Sequence, residues 1–192
     1  MTDNELIDGI LSGNEKYFKE LVDNYQALVL NTCNSFLHDK SNAEDIAQEV
    51  FIEVYLSLHK FKKESKLSTW LYRISVNKSL NYIRDNKKRK FVRSIEDLFK
   101  IENTSKTQVV DNINQNNNTE DDHEEKLQLL HQVISGLQEN QRIAFTLSKF
   151  ENLSYKQISE IMDLSLLSVE GLIHRAKMNV QKKILSFFKK TN

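Results

Sequence analysis

Proline is missing from all 192 residues, and glycine occurs only four times. Sandwiches, barrels and Gly-rich phosphate-binding folds need turn residues in quantity, so these absences exclude them along with collagen-like and Pro-rich architectures. The single cysteine, Cys33, excludes an intramolecular disulfide framework and any four-cysteine zinc site. No apolar run approaches the roughly 18 residues that would cross a bilayer, and the opening stretch MTDNELIDGI does not read as a secretory signal. His38, His59, His123, His131 and His174 have no metal-ligand spacing with Cys33, and no Gly-rich loop is present to cradle phosphate. Asp45 and Glu49 could pass for paired carboxylates, but nothing supplies a metal or a pocket that would raise a pKa. The expectation is a cytoplasmic protein with no membrane insertion, no catalytic residue, no metal and no cofactor. What remains is a chain 39% apolar and 28% charged, enough to bury a core in one or two domains.

The formal net charge is zero, but its distribution is blocked. Residues 1–59 carry 3 basic and 11 acidic side chains, and residues 60–93 carry 12 basic and 2 acidic. Residues 94–125 carry 2 basic and 9 acidic, and residues 126–192 carry 10 basic and 5 acidic. Two basic segments separated by acidic ones suit a protein that touches a polyanion at two places, because Lys and Arg neutralising phosphates supply most nonspecific affinity. The plainer alternative is a set of solvated helix faces.

Hydrophobic periodicity predicts an all-α chain. Phe18, Leu21, Val22, Tyr25, Leu28, Val29 and Phe36 set a helical period over 15–37. Ser41 and Glu44 have the spacing of a capping box, and Ile46, Val50, Val54 and Leu58 then form one stripe at every fourth position. Residues 60–66 read as a short basic loop, and a third helix is predicted from about Leu67 to Lys90. Residues 101–125 are Asn-rich and acidic with no period, the composition of a flexible linker. Helices follow at about 126–135, 138–150, 154–162 and 165–187. Two helical domains joined by a tether are expected.

Three faces carry the candidate chemistry. On the second helix, Asp45, Gln48, Glu49 and Ile52 share the side opposite the Ile46–Leu58 stripe. An acidic-amide face with one apolar residue suits a basic protein partner better than DNA. On the third helix, Trp70, Arg73, Asn77, Asn81 and Arg84 line one side. Arg pairs with phosphate, Asn bonds base edges and an aromatic ring stacks on a base. Lys60, Lys62, Lys63 and Lys66 precede this face, and Lys87, Lys88, Arg89 and Lys90 follow it as a phosphate-binding frame. Trp70, near Leu67, Leu71 and Ile74, also reads as ordinary core. In the C-terminal half, Ser154 and Gln157 make a second capping box with Ile158 and Ile161 facing inward. A stop at Met162-Asp163-Leu164 follows, with Leu164 as the buried residue of the turn. Ser165 caps a longer helix whose inner residues are Val169, Leu172 or Ile173, and Ala176. Short helix, tight turn, longer helix is the helix-turn-helix pattern, although an antiparallel helix pair shares its spacing.

Residues 153–184 (LSYKQISEIMDLSLLSVEGLIHRAKMNVQKKI) resemble region 4 of bacterial RNA polymerase sigma factors of the extracytoplasmic-function group. Residues 43–61 and 66–90 resemble their region 2, in the same order and with a similar tether. The resemblance covers about residues 10–100 and 125–187. It implies an alternative sigma factor, with residues 1–99 as region 2, 100–125 as a flexible acidic linker and 126–192 as region 4. Asp45, Gln48, Glu49 and Ile52 would then dock on the clamp coiled coil of the polymerase largest subunit. Lys62, Lys63, Lys66, Trp70, Arg73, Asn77, Asn81, Arg84, Lys87 and Lys88 would bind the non-template strand of the −10 element and capture a flipped base, nucleating melting. Tyr155, Ser165, Leu167, Ser168, Glu170, Gly171, His174, Arg175 and Lys177 would meet the −35 region, and region 4 would also meet the beta-subunit flap. Partners implied are core RNA polymerase, promoter DNA, and an anti-sigma factor or other recruiting protein. The rival from another class is a stand-alone helix-turn-helix regulator that does not bind core polymerase. Asp45, Gln48 and Glu49 combined with the Trp70–Arg84 stripe discriminate against it, because a simple repressor needs neither. A helical adaptor without DNA fits poorly with the basic block.

The recognition segment departs from the family pattern. A common Lys is replaced by Glu170 and a common Arg by Leu172, the small residue expected on the preceding helix is Ser159, and the turn carries Asp163. Two readings stay open. Leu166, Leu167 and Gly171 offer base edges only apolar contacts or none, which gives weak −35 readout carried by Ser168, His174, Arg175 and Lys177. Promoter choice would then rest on the −10 element, or on a second protein held through Leu166, Leu167, Phe187 or Phe188. Alternatively, Glu170 and Gly171 read a different −35 sequence, since a carboxylate accepts from cytosine N4.

Overall fold

The computed structural model describes residues 1–101 and 119–191, and among them finds eight α-helices, one short 3-10 turn and no strand. The linker stretch 102–118, including Asn116–Asn118, lies outside the described residues. The elements are α1 (Asp3–Leu11), α2 (Glu15–Leu37), α3 (Lys40–Ser57), the turn Leu58–Lys60, α4 (Leu67–Ile101), α5 (Thr119–Ser135), α6 (Glu139–Lys149), α7 (Tyr155–Met162) and α8 (Leu166–Thr191).

Local chemistry sets the starts and stops. Thr2 and Glu5 form a capping box at α1, a helix for which the sequence reading made no provision. Its Leu6, Ile7 and Ile10 are buried. Helix α2 ends at His38 in the left-handed region (φ 55°). The cap of α3 is Asp39, whose carboxylate accepts from the Asn42 N–H at 2.9 Å, rather than the expected Ser41. Asp is at least as good an N-cap as Ser, and the helix therefore starts two residues early. Helix α4 runs on to Ile101 instead of stopping near Lys90, and α5 begins at Thr119, inside the expected linker.

Helices α1 to α4 enclose the first core. The predicted stripe is its spine: Ile46, Val50, Val54 and Leu58 are all nearly inaccessible, with Leu21, Val29, Cys33, Leu67 and Leu71 packed around them. Each such side chain contributes about 1.5–3 kcal/mol relative to exposure. Tyr25 closes the α1 side by donating its hydroxyl to Asp3 Oδ1 at 2.7 Å.

In the C-terminal half, Val133, Ile134, Leu137, Phe145, Ala176 and Val180 tie α5, α6 and α8 together. Ile158 and Ile161 of α7 meet Val169 and Ile173 of α8 in another cluster. Ile173 is the buried neighbour and Leu172 lies half-buried. Asp163 ends α7 in the left-handed region (φ 54°). Leu164, expected to be buried in this turn, is instead exposed. It lines a groove together with Arg73, Val76 and Asn77 of α4.

The two halves pack against each other. Phe36 of α2 and Val76 and Leu80 of α4 enter the same apolar cluster as Ile143, Ala144 and Leu147 of α6. Helix α4 thus gives its first turns to one core and its middle to the seam.

Candidate nucleic-acid interface

The amphipathic period of α3 does what it predicts. Asp45, Gln48, Glu49 and Ile52 are exposed while the opposite stripe is buried. Ile52 borders an apolar groove between α2 and α3 walled by Phe18, Phe51, Tyr55 and Leu56, and Gln48 borders a second one walled by Val22, Ala27, Leu30 and Phe51. The sequence reading passed over Tyr55 and Leu56, although two large apolar residues outside the stripe were a usable signal. Glu49 and Glu53 both lie within ion-pair distance of Lys78, at 3.9 and 3.6 Å.

On α4 the five residues of the stripe lie on one side but meet different surroundings. Trp70 is half-buried, tilted against Phe61 with ring centroids 5.1 Å apart, and packs on the first core. Asn77 and Asn81 are exposed. Arg73 donates from Nε to the Ile161 carbonyl (3.1 Å) and from Nη2 to the Glu160 carbonyl (2.5 Å). It therefore caps the carbonyl end of α7, where the helix dipole favours a cation. Arg84 forks onto Glu139, with Nη2 to Oε1 at 2.6 Å and Nε to Oε2 at 3.2 Å, and also donates to Asn81 Oδ1. Of the flanking cations, Lys62, Lys66, Lys87 and Lys88 are exposed, whereas Lys63 pairs with Asp8 at 2.6 Å. The side chain of Lys90 lies outside the described ones. Both arginines of the stripe are thus engaged by the C-terminal half.

Further links cross the same seam. Ser35 donates to the Glu151 carboxylate, and burial pushes the Glu151 pKa up, opposed by that hydrogen bond. The rings of His38 and His131 stack at 3.6 Å, nearly parallel at 6°. Burial, with a smaller effect of His131, pushes His38 down to about 4.

The helix-turn-helix is built from α7 and α8. Ser154 and Gln157 form the expected box at α7, and Tyr155 leans half-buried on the apolar cluster. Ser165 Oγ accepts from the Ser168 N–H at 3.2 Å, and their hydroxyls meet at 2.7 Å. Leu167, Ser168, Glu170, His174, Arg175 and Lys177 are exposed, and Gly171 is half-covered. Phe187 is exposed, and the side chain of Phe188 lies outside the described ones.

A helix-turn-helix joined to a second helical bundle with a basic, amide-bearing stripe defines a two-part DNA-binding protein. Comparison with known proteins narrows this. Residues 21–89 match the family model for Sigma-70 region 2, and residues 127–180 match that for Sigma-70, region 4. The chain is 31% identical to the RNA polymerase sigma-H factor of Pseudomonas aeruginosa, over 95% of this chain and 93% of that protein. It is 32% identical to the ECF RNA polymerase sigma-E factor of Escherichia coli K12, over 96% of this chain and 95% of that protein. The fold is shared with CnrH, solved in complex with the cytosolic domain of CnrY, at a TM-score of 0.63 and 20% identity, covering 96% of this chain and 97% of that one. The chain belongs to the extracytoplasmic-function family of RNA polymerase sigma factors. It is accordingly a transcription-initiation factor that binds core RNA polymerase and promoter DNA.

Proposed function

We propose that this sigma factor divides its work between three surfaces of the chain. Asp45, Gln48, Glu49 and Ile52, with the apolar grooves beside them, dock on the clamp coiled coil of the polymerase largest subunit. The stripe Trp70, Arg73, Asn77, Asn81 and Arg84, framed by Lys62, Lys63, Lys66, Lys87 and Lys88, takes the non-template strand of the −10 element and nucleates melting. The α7–α8 unit contacts the −35 region through Tyr155, Ser165, Leu167, Ser168, Glu170, Gly171, His174, Arg175 and Lys177, and meets the beta-subunit flap. Residues 1–99 and 126–192 act as the two domains, with 100–125 as tether. The chemistry of RNA synthesis stays with the polymerase, the site of action is the cytoplasm, and an anti-sigma factor or other recruiting protein is a further partner.

The observation that carries this reading is the division of α3 into a buried stripe and an exposed acidic-amide face beside an apolar groove. The variant Asp45→Arg with Gln48→Ala tests it. These side chains point away from the core, so stability changes by no more than about 0.5 kcal/mol. Core polymerase captured by the tagged wild-type chain is expected to be lost with the variant, while circular dichroism is unchanged. Equal capture by both would remove this face from the docking surface.

A further inference from the structure

Helix α8 sorts its residues by period. Val169, Ile173 and Ala176 are fully buried. Leu167, Glu170, Gly171 and His174, at i, i+3, i+4 and i+7, occupy the opposite side. A helix-turn-helix brings the N-terminal residues of its second helix to the base edges, so this side carries the readout. Its composition is unusual for a surface that must approach phosphates. Leu167, at 79% exposure, is the most exposed large apolar side chain among the described residues. No cation pairs with the Glu170 carboxylate among the described residues. The hydroxyls of Ser165 and Ser168 are turned onto each other at the helix start. Gly171 leaves bare backbone over which the Arg175 guanidinium lies: a Cβ there would stand 3.3 Å from Nη1.

We propose that α8 is a pyrimidine reader, in which Leu167 packs on a thymine 5-methyl group and Glu170 accepts from a cytosine N4 amino group. This rests on the reading of α8 as the helix that meets the −35 region. In the major groove only thymine shows a methyl group, and cytosine's own edge shows an amino donor and no acceptor. Adenine N6 also donates but stands beside the N7 acceptor, which repels the second carboxylate oxygen, while guanine with two acceptors and thymine with O4 leave a carboxylate unpaired among phosphates. Glu170 therefore selects mainly by excluding wrong bases. Arg175, folded across Gly171, supplies the offsetting positive charge. Leu167 and Glu170 are three residues apart, about 4.5 Å along the helix, between one and two base steps of about 3.4 Å. The thymine and cytosine therefore fall one or two steps apart.

The test is transcription by core polymerase reconstituted with the full chain, on templates randomised in both the −35 and −10 regions, with transcripts sequenced. The expected −35 logo holds thymine and cytosine one or two steps apart, each preferred about tenfold. Glu170→Gln shifts the cytosine position toward adenine, which Gln reads through N6 and N7. Leu167→Ala flattens the thymine position alone. A flat −35 logo beside a sharp −10 logo, or a sharp −35 logo that neither variant changes, overturns the proposal and leaves the sigma assignment standing. Transcription dependent on the chain but on neither element would overturn the promoter-contact reading beneath it as well.

Discussion

Releasing Arg84 from Glu139 should strengthen binding of a −10 single strand by the free protein. The fork between these side chains spans 55 residues and joins the two halves, at 2.6 and 3.2 Å. The side chains are 51% and 43% exposed, so solvent screening keeps the pair within the range of exposed ion pairs, at about 0.5–1 kcal/mol for bidentate geometry. A phosphate or base that needs Arg84 must first displace Glu139 at that cost. Glu139→Ala should therefore tighten binding of a −10 oligonucleotide about two- to fivefold, since 1.4 kcal/mol corresponds to tenfold. Glu139→Lys should do more, because it sets a second cation against Arg84. Fluorescence anisotropy with a labelled single strand at low salt measures the effect, and raising the salt should shrink it. Adding Arg84→Ala to Glu139→Ala should abolish the gain, which makes the four proteins a double-mutant cycle. If Glu139→Ala binds no tighter while Arg84→Ala binds more weakly, the fork does not compete with the strand and the reasoning fails. If Arg84→Ala is without effect on the strand, Arg84 is not part of that surface.

Four other expectations concern the seam, the turn and the core. His38 titrates at about 4 in the packed state against an ordinary 6.5, so the packed state disfavours its protonation. Its contribution is complete above about 6.5 and is lost as pH falls toward 4; domain separation followed by energy transfer should rise over that window and be flattened by His38→Phe. Glu151 has the opposite sign: its raised pKa means the packed state prefers the protonated acid, so Glu151→Gln should hold the halves together more firmly at pH 7. Asp163 adopts φ 54°, where an L side chain costs about 1–2 kcal/mol; Asp163→Gly should raise the melting temperature, and a fall would show that the carboxylate makes a compensating contact. Burial pushes the Cys33 thiol up to about 11, so a thiol reagent should modify the native protein only at the rate of unfolding.

The sequence by itself determined what depends on neighbours three or four positions apart. The α3 stripe, the Ser154–Gln157 box and the inward Val169 and Ala176 follow from helical period and local capping, and each is found where those rules put it, whereas the choice of Ile173 over Leu172 came from the packing. Local competition was harder to read: two good capping residues stand two positions apart, and Asp39 rather than Ser41 caps α3. The box at Thr2 and Glu5 was equally local and was passed over. Periodicity also placed Arg73, Asn77 and Arg84 on one face, but it carries no information about what that face meets. Only the tertiary structure decided that Arg73 caps α7 and that Arg84 grips Glu139. It also decided that Leu164 turns outward and that Glu151 reaches Ser35, 116 positions away. The physical reason is that a helix's own pattern sets which side is apolar. The partner for its polar side depends on charge and shape arriving from a distant segment, and no local spacing encodes that arrival.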